Sequence, residues 1–422
     1  MNAVTILMDI SFILATVLGV CYMYQVAYLF IPFLIRKKPH KKAVRHKYAI
    51  LIAARNEEEV LPFLLDSIAM QDYPSELYRT YVVADNCTDK TAEAARAHGA
   101  TVFERFNKKE VGKGYALNYL LKKIEEEGSY ESYDAFLIFD ADNLLRPNYI
   151  TAINRTYSDG YEVFCGYRNS KNFADNWVSS GYAIWYMHDS AHLNQSRMLL
   201  GTSCAVSGTG FGLSRRVLEL CGGWNFFTLT EDIEFDTWCA VHDIKIGYNP
   251  DAMLYDEQPS SFRQSWRQRT RWTQGGVQIA FKYGGSLFRS ILRPCGKNRY
   301  ACFETATMSF WAFAFSAAVM ILSMVTTFLS KGWIGILLAI LSSLAGIYVS
   351  MFVCGLLVVL TEWNKIAGTS AQKIGYLFTF PFFMFTFIPI SVTAIFRKPQ
   401  WKPIRHSVAI PVSQLTSSET QE

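Results

Sequence analysis

Four stretches of this 422-residue chain carry no charged side chain and are long enough to cross a membrane as helices. They are residues 10–35, 305–330, 332–361 and 374–396. A helix needs about 20 predominantly apolar residues to span the hydrocarbon core of a bilayer. Buried helices of soluble domains seldom contain uncharged runs of this length, so we expect four membrane-embedded segments. The hydrophobic content of 50% agrees with that expectation.

The residues that follow the first apolar run predict its orientation. Seven Lys and Arg side chains lie between Arg36 and Lys47. The positive-inside rule places such an end in the cytosol, and anionic lipid head groups attract a basic collar of this kind. No cleavage site of small residues follows, so residues 1–36 are expected to remain as a transmembrane anchor. We therefore expect an integral plasma-membrane protein whose main domain is cytosolic.

Residues 48–256 have the composition of a soluble α/β domain. The apolar runs 48–54, 81–84 and 135–139 are typical of buried strands, and 101–103 indicates one more. Between the first two strands, apolar residues recur at helical spacing over 60–68. Strands that alternate with helices predict a mostly parallel sheet, in which ligands bind at the carboxyl ends of the strands.

The chain beyond this domain returns to a membrane-like composition. Residues 257–300 mix aromatic and basic side chains, which is typical of amphipathic helices at a membrane surface. Residues 301–398 contain the remaining apolar runs and are expected to form a transmembrane region. Residues 399–422 then form a C-terminal tail, which is expected to be disordered from Ser413 onwards.

The last apolar run leaves the topology open. If every run after a cytosolic domain crosses once, the basic stretch 397–406 ends outside the cell, against the positive-inside rule. Pro381 and Pro389 lie inside this run, which could instead be re-entrant or broken and return the tail to the cytosol. In that case Trp401–His406 could fold over a ligand bound to the domain; the alternative is an anchor that flanks a helix.

Carboxylates follow two of the predicted strands at the point where each strand ends. Asp85 follows the second strand, and Asp140 and Asp142 follow the strand 135–139. A single Asp in this position often caps the next helix. An Asp-x-Asp pair can instead face a hard cation, and Mg²⁺ or Mn²⁺ held by few carboxylates completes its shell with substrate phosphates. The pair therefore predicts a metal site that binds a nucleotide diphosphate.

Two further motifs follow in the chain. Thr228–Asp236 contains four carboxylates within six residues, which on its own could be a solvated helix start. Gln268-Arg-Thr-Arg271-Trp272 could on its own be an interfacial anchor. The argument for a functional site depends on both motifs occurring in this order after the Asp-x-Asp pair.

In that order, the motifs resemble those of the membrane-integrated family 2 glycosyltransferases, the group of cellulose, hyaluronan and poly-N-acetylglucosamine synthases. The matching residues are Asp85, Asp140-Ala-Asp142, Thr230-Glu-Asp232 and Gln268-Arg-Thr-Arg271-Trp272. The resemblance runs from about Tyr48 to Trp272 and continues in the flanking apolar runs. It implies an α/β fold with a GT-A-like cytosolic domain, flanked by transmembrane and interfacial helices.

The resemblance also implies a role for each matching residue at the donor site. Asp85 and Asp140 would contact the UDP of the donor, and Asp142 would hold the metal together with Asp140. Glu57 lies where the family has a nucleotide-contacting acid after the first strand. Lys113 matches a Gly-Lys motif near the donor, although a lysine in a surface turn is the alternative.

On the acceptor side, the resemblance makes Asp232 the catalytic base. The acceptor and diphosphate platform would consist of Gln268, Arg271 and Trp272, with Gly208, Thr209 and Glu231. In this mechanism Asp232 removes a proton from the acceptor hydroxyl as that hydroxyl attacks the anomeric carbon. An α-linked donor then gives a β-linked product.

The function implied is an inverting, metal-dependent transfer from UDP-glucose or UDP-N-acetylglucosamine that builds a β-linked polysaccharide processively at the membrane. A single-sugar transferase acting on a lipid or cell-envelope acceptor is the alternative. A non-enzymatic membrane scaffold is disfavoured, because it needs no such set of carboxylates. Expected partners are the UDP-sugar, a growing glycan or lipid acceptor, membrane lipids, and accessory export or cell-envelope proteins. Nucleic acid is not expected, because the net charge of +5 is modest and lies largely in the basic collar.

Overall fold

A mixed α/β domain lies between a long N-terminal helix and a helical C-terminal region. The computed structural model describes residues 3–37, 39–293, 296–397, 406 and 408–415. The strands are β1 (Tyr48–Ala54), β2 (Tyr78–Asp85), β3 (Thr101–Arg105), β4 (Ala135–Asp140), β5 (Leu144–Leu145), β6 (Val163–Ser170), β7 (Phe211–Ser214) and β8 (Ile246–Asp256). They form one sheet in the order β3-β2-β1-β4-β7-β6-β8-β5.

The helices surround this sheet and continue beyond it. They are α1 (Ala3–Leu34), α2 (Leu61–Ala69), α3 (Thr91–Ala97), α4 (Lys113–Glu126), α5 (Tyr149–Ser158), α6 (Trp177–His188), α7 (Gln195–Leu200), α8 (Arg215–Leu220), α9 (Glu231–Val241), α10 (Phe262–Leu292), α11 (Arg299–Thr307), α12 (Phe310–Thr361), α13 (Ser370–Phe385) and α14 (Phe387–Phe396). A π-helix, Asp189–Asn194, joins α6 to α7.

The sheet is parallel only in part. β1 pairs in parallel with β2 and β4, and β2 with β3, as the alternation of strands and helices predicts. β7 instead runs antiparallel to both β4 and β6. The expectation of a mostly parallel sheet therefore holds for β1 to β4 and for the pair β6–β8, and is wrong at β7 and at β5, which runs antiparallel to β8. Alternation of strands and helices continues past β4, so it does not by itself fix the direction of these two strands.

Alternating residues of β1 build both layers of the core. Ile50 and Ile52 belong to the apolar cluster that contains the inner face of α2. Leu51 belongs to the opposite cluster, together with Leu117 and Leu120 of α4. Successive side chains of a strand point to opposite faces, so a fully apolar strand is covered by helices on both sides. This arrangement leaves the strand ends as the accessible edge of the sheet.

The described residues contain three helical segments long and apolar enough to cross a membrane: α1, α12 and Ser370–Phe396. At 52 residues, α12 is more than twice the length that one crossing needs. Gly332 has φ of 63° and ψ of −161°, which interrupts the helix and divides it into 310–331 and 333–361. These two parts correspond to the second and third predicted runs, except that residues 305–307 belong to α11.

The fourth predicted run lies along the domain. At its start, Tyr376 Oη donates a hydrogen bond to the Ala174 carbonyl at 3.2 Å. In its middle, Arg269 Nη1 donates to the Phe383 carbonyl at 3.2 Å. At its end, Gln274 Nε2 donates to the Arg397 carbonyl at 2.9 Å. Contacts with the domain at the start of the run, and with α10 at its middle and end, favour the re-entrant or broken alternative over a full crossing.

The C-terminal tail is partly ordered. Val412 and Leu415 are each 5% exposed and join the main apolar cluster of the domain. The expectation of disorder from Ser413 is therefore wrong for residues 413–415, because the two apolar side chains anchor this turn. Residues 416–422 lie outside the described part of the chain, as do Trp401–Arg405, on which the prediction of a segment folded over a ligand depends.

Two neighbouring glycines of α10 offer a test of how this helix packs. A Cβ at Gly275 would lie 2.8 Å from Thr230 Cγ2, whereas a Cβ at Gly276 would meet nothing within 4 Å. We expect Gly275→Ala to lower the free energy of unfolding by about 1–3 kcal/mol, because α10 must move away from Thr230. Gly276→Ala is the matched control and should stabilise the helix by up to about 1 kcal/mol. Thermal unfolding in detergent measures both, and equal effects would contradict the packing described.

Candidate active site

One cavity of about 510 Å³ lies at the carboxyl ends of β1, β2 and β4. It is lined by the candidate residues Glu57, Asp85, Lys113, Asp140, Asp142, Gly208, Glu231, Asp232, Gln268, Arg271 and Trp272. Thr209 is the one candidate that does not line the cavity. Its hydroxyl donates a hydrogen bond to Asn143 Oδ1 and accepts one from the Asp140 backbone N–H. Thr209 therefore stabilises the turn that carries Asp140 without facing the cavity.

Left-handed turns follow β1 and β2 and shape one end of the cavity. Asn56 has φ of 58° and Asn86 has φ of 55°, a conformation that Asn tolerates better than most residues. Asn56 Oδ1 accepts the Thr88 backbone N–H at 2.8 Å and so joins the two turns. Asp85 is 5% exposed, and its Oδ1 accepts a hydrogen bond from Arg105 Nη1 at 2.7 Å.

Glu57 lies just after the first turn and contacts the C-terminal segment. Its Oε1 lies 2.9 Å from Nδ1 of His406, while its Oε2 is buried with no hydrogen-bond partner among the described residues. Burial raises the pKa of Glu57, an effect that the His406 contact opposes. A buried carboxylate oxygen without a donor is costly, so this position suits a ligand with a hydroxyl or N–H group.

Lys113 joins three elements of the cavity wall. Its Nζ donates to Asp140 Oδ1 at 2.6 Å and to the Gly208 carbonyl at 2.7 Å. Burial has the largest single effect and lowers the pKa of Lys113, but the combined negative charges of Asp140, Glu231 and Asp232, with the hydrogen bond to Asp140, raise the pKa overall. Lys113 is therefore a charged cavity residue, and the alternative of a surface-turn lysine is wrong.

Asp142 lies in a second group of carboxylates. It is 2% exposed, and its Oδ2 accepts the Glu257 backbone N–H at 3.0 Å. The neighbouring Asp256 accepts hydrogen bonds from the Arg168 guanidinium and from Asn143 Nδ2. Burial, with a contribution from Asp142, raises the pKa of Asp256 to about 6, against the lowering effect of Arg168. Asp142 and Asp256 are thus close enough for a side-chain hydrogen bond, which places two carboxyl groups side by side in the cavity wall.

Glu231 and Asp232 begin α9 as adjacent half-buried carboxylates. Burial, reinforced by the charge of Asp232, raises the pKa of Glu231 to about 7. Burial also raises the pKa of Asp232, while Lys113 and Arg271 favour its ionised form. A carboxylate with a raised pKa is a better proton acceptor than an ordinary surface Asp.

Gly208 keeps the space in front of Asp232 open. Its φ of 82° favours glycine, and a Cβ there would lie 3.4 Å from Asp232 Oδ2. A side chain at this position would occupy the approach to the carboxylate. The backbone of residue 208 is at the same time fixed by Lys113, which binds its carbonyl.

The opposite end of the cavity is formed by α10. Gln268, Arg271 and Trp272 line it from one helix, and Trp272 meets Tyr182 edge to face with ring centroids 5.8 Å apart. Gln268 Oε1 is buried and has no hydrogen-bond partner among the described residues. The close approach of Gly275 to Thr230 holds this helix beside the start of α9.

The charge of the cavity favours a bound cation. Among the described residues, ten carboxyl side chains but only four Lys and Arg side chains line it. No three His, Cys, Asp or Glu side chains of residues 3–37, 39–293, 296–397, 406 and 408–415 come together as a metal cage. This pattern fits Mg²⁺ or Mn²⁺, which use one or two carboxylates and take further ligands from substrate phosphates.

Several cavity residues have no counterpart in the sequence-based predictions. Arg168, Asp189 and Asp256 line it. Asp236 of the acidic motif and His406, the last residue of the segment that could fold over a ligand, line it too, although neither is a predicted site residue. Asp256 ends β8, so the strand-exit pattern that identified Asp85 would also have found it. Arg168 and Asp189 carry no such local pattern, because they reach the cavity from β6 and from the π-helix that follows α6.

Comparisons with known proteins agree with this geometry. Beta-monoglucosyldiacylglycerol synthase of Nostoc sp. is 28% identical over 263 residues, which cover 57% of this chain and 51% of the relative. The probable glycosyltransferase YdaM of Bacillus subtilis is 24% identical, and the match covers 76% of this chain and 76% of the relative. Poly-beta-1,6-N-acetyl-D-glucosamine synthase of Staphylococcus epidermidis is 24% identical over 59% of this chain and 61% of its own length. The chain thus spans about half the length of the first of these relatives.

A solved structure confirms the expected fold class. The mannosyltransferase PcManGT of Pyrobaculum calidifontis, in complex with GDP-Man and Mn²⁺, superposes with a TM-score of 0.56. It is 17% identical and covers 92% of this chain and 99% of its own. The α/β domain is therefore GT-A-like. The family described as glycosyltransferase like family 2 matches residues 46–275, more than half of the chain. This chain belongs to the family 2 glycosyltransferases.

Proposed function

We propose that this protein is an inverting, metal-dependent glycosyltransferase that uses UDP-glucose or UDP-N-acetylglucosamine to build a β-linked polysaccharide processively at the membrane. The observation that carries the proposal is one cavity that brings together Asp142 from the turn after β4, Asp232 from α9 and Trp272 from α10. Family membership and the named activities of the relatives support sugar transfer.

The donor would bind at the strand ends. Asp85 and Glu57 face the nucleoside, and the unpartnered Glu57 Oε2 accepts a hydrogen bond from it. Asp140 and Lys113 lie beside the diphosphate, where the lysine ammonium neutralises part of its charge. Asp140 and Asp142 would hold Mg²⁺ or Mn²⁺, which would supply positive charge beside the leaving diphosphate.

Asp232 would act as the general base. Its carboxylate faces the open approach at Gly208, where the acceptor hydroxyl binds. The carboxylate takes the hydroxyl proton while the oxygen attacks the anomeric carbon and the bond to UDP breaks. Trp272 offers an aromatic face to the acceptor ring, and Gln268 and Arg271 bind polar groups beside it. Attack opposite the leaving group inverts the anomeric carbon.

A second candidate is the transfer of one sugar to a lipid acceptor. It is favoured by the relatives named beta-monoglucosyldiacylglycerol synthases, of which one from Synechocystis sp. is 26% identical over 56% of this chain. Product size separates the two candidates. A processive enzyme gives long polymers, whereas a single-transfer enzyme gives one sugar on an extractable lipid.

The membrane topology that fits this function has three crossings, by α1, 310–331 and 333–361. With the basic collar and the catalytic domain in the cytosol, the two crossings by 310–331 and 333–361 return the chain to the cytosol. Residues 397–406 then lie in the cytosol too, which removes the conflict with the positive-inside rule. Ser370–Phe396 then lies at the interface beside the catalytic domain. The proposed division of the chain into 1–36, 48–256, 257–300, 301–398 and 399–422 stands with that change, and the plasma membrane is the proposed location.

The first test is turnover of the variant Asp232→Asn. Full-length protein in detergent is supplied with Mg²⁺ or Mn²⁺ and a panel of radiolabelled UDP-sugars, and the products are sized. We expect Asp232→Asn to lower transfer by about 10²–10⁴-fold, because general-base help is lost while the side chain keeps its shape. The control Asp251→Asn removes a surface ion pair with Lys37 and should keep wild-type turnover. Normal turnover of Asp232→Asn would exclude Asp232 as the base.

The second test is the pH dependence of transfer. The base must be ionised, so the rate should rise with pH until Asp232 has lost its proton. Because the positive charge of Lys113 lowers the pKa of Asp232, Lys113→Gln should shift the acid limb of the profile to higher pH. Lys123→Gln, on the same helix but outside the cavity, is the control and should leave the limb in place. An unchanged acid limb in Lys113→Gln would contradict the influence of Lys113 on Asp232.

A further inference from the structure

The cavity continues beyond the residues that the proposed reaction uses. Past Trp272 it is lined by Trp185, Tyr186 and Asp189 from the end of α6 and by Phe387 from the start of α14. None of these four side chains has a role in binding the donor or in removing the proton. They form what we call the distal part of the cavity.

Buried aromatic rings connect Trp272 to this distal part behind the cavity wall. Tyr182 contacts both Trp272 and Phe383, at centroid distances of 5.8 and 4.9 Å. Phe387 follows 6.0 Å from Phe383 and lies 6.2 Å from Trp185. Tyr182 and Phe383 are buried and do not line the cavity, whereas Trp272, Phe387 and Trp185 do. The half-buried indoles of Trp272 and Trp185 therefore offer two separate aromatic faces in one cavity, and each suits the C–H face of a pyranose ring.

Asp189 adds a polar group beside this surface. It follows Trp185 by four residues, which puts both side chains on the same helical face. Its Oδ2 accepts a hydrogen bond from Ser207 Oγ at 2.8 Å. Ser207 precedes Gly208, which opens the approach to Asp232. Asp189 therefore lies on the acceptor side of the proposed base, and its remaining lone pairs can accept hydrogen bonds from sugar hydroxyls.

The local backbone fixes this position. Asp189 begins the π-helix Asp189–Asn194, a rare conformation that is frequent at functional sites. At its other end, Asn194 exchanges two hydrogen bonds with the backbone of Ala205, each 2.9 Å long. The loop that carries Ser207 is thereby held against Asp189. Arg168 also supports the wall, since its guanidinium lies 3.7 Å over the ring of Tyr186.

We propose that Trp185 and Asp189 form a second acceptor subsite, which binds the penultimate sugar of a β-linked glycan while the terminal sugar occupies Trp272. This assignment rests on the proposed function. The ligand is a neutral pyranose, because the half-buried carboxylate of Asp189 disfavours phosphate and other anions in the same space. Trp185 binds one face of the ring, and Asp189 accepts hydrogen bonds from its hydroxyls.

The test compares short acceptors with and without the second sugar. Glucose and N-acetylglucosamine, and their β-1,4- and β-1,6-linked disaccharides, are supplied to full-length protein in detergent with the donor that the wild type uses. In Trp185→Ala we expect KM for the disaccharide to rise about 10-fold, the loss of one stacking contact, with kcat and the monosaccharide kinetics unchanged. Trp185→Tyr should restore most of the affinity, and Asp189→Asn should weaken only the disaccharide.

Trp177→Ala is the matched control, because Trp177 lies at the other end of α6 and stacks on Phe262, outside the cavity. It should leave both acceptors unaffected. Equal loss for mono- and disaccharide in Trp185→Ala would overturn the subsite and indicate a structural role. Unchanged kinetics in Trp185→Ala would overturn it as well.

A binding measurement separates this proposal from the proposed function. Calorimetric titration of the disaccharides into wild type and Trp185→Ala needs no donor and no turnover. Weaker binding of the disaccharide to Trp185→Ala than to wild type supports the subsite, even if neither protein consumes a UDP-sugar. The absence of UDP-sugar consumption would count against the proposed reaction but not against the subsite. If the wild type releases UDP but the two proteins bind the disaccharides with equal affinity, the proposed reaction is supported and the subsite is overturned.

Discussion

The packing of α10 against the start of α9 is the contact on which the rest of this site depends. Gly275 lets the helix approach Thr230 so closely that no side chain fits between them. The preceding turns of α10 then carry Gln268, Arg271 and Trp272 into a cavity whose other walls come from the sheet. A helix of interfacial composition thus completes a site that the α/β domain only half encloses.

The same helix connects the site to the membrane-associated segments. Arg269 is fully buried, donates to the Phe383 carbonyl and to Thr386 Oγ1, and lies 4.4 Å over the ring of Phe383. These contacts hold the bent segment Ser370–Phe396 beside the domain and bring Phe387 into the cavity wall. The proposed donor end therefore faces the strand edge, while the proposed acceptor end is built from helices adjacent to the apolar spans. That arrangement suits an enzyme whose product stays at the membrane.

The sequence predicts those parts of the fold and site that local patterns encode. Asp85, Asp140 and Asp142 follow apolar strands, and Asp232 and Trp272 occur in a fixed motif order, so their convergence on one cavity could be expected. Trp185 and Asp189 could not, because α6 is apolar on most sides and the π-helix changes its register. Residues 374–396 have the composition of a span, but long-range hydrogen bonds with Ala174, Arg269 and Gln274 and the packing of buried aromatic side chains hold them beside the domain. Thr209 matches its motif, yet its hydroxyl supports Asp140 from outside the cavity.

The most direct measurement of the central claim is a structure of the full chain with UDP and Mn²⁺, in which anomalous scattering locates the ion. The proposed function predicts one Mn²⁺ peak within coordination distance of Asp142, with the diphosphate on the side of Lys113 and the nucleoside towards Asp85 and Glu57. The space in front of Asp232 and Trp272 should remain open for an acceptor. UDP bound elsewhere, or Mn²⁺ without contact to Asp142, would contradict a donor site at the strand ends.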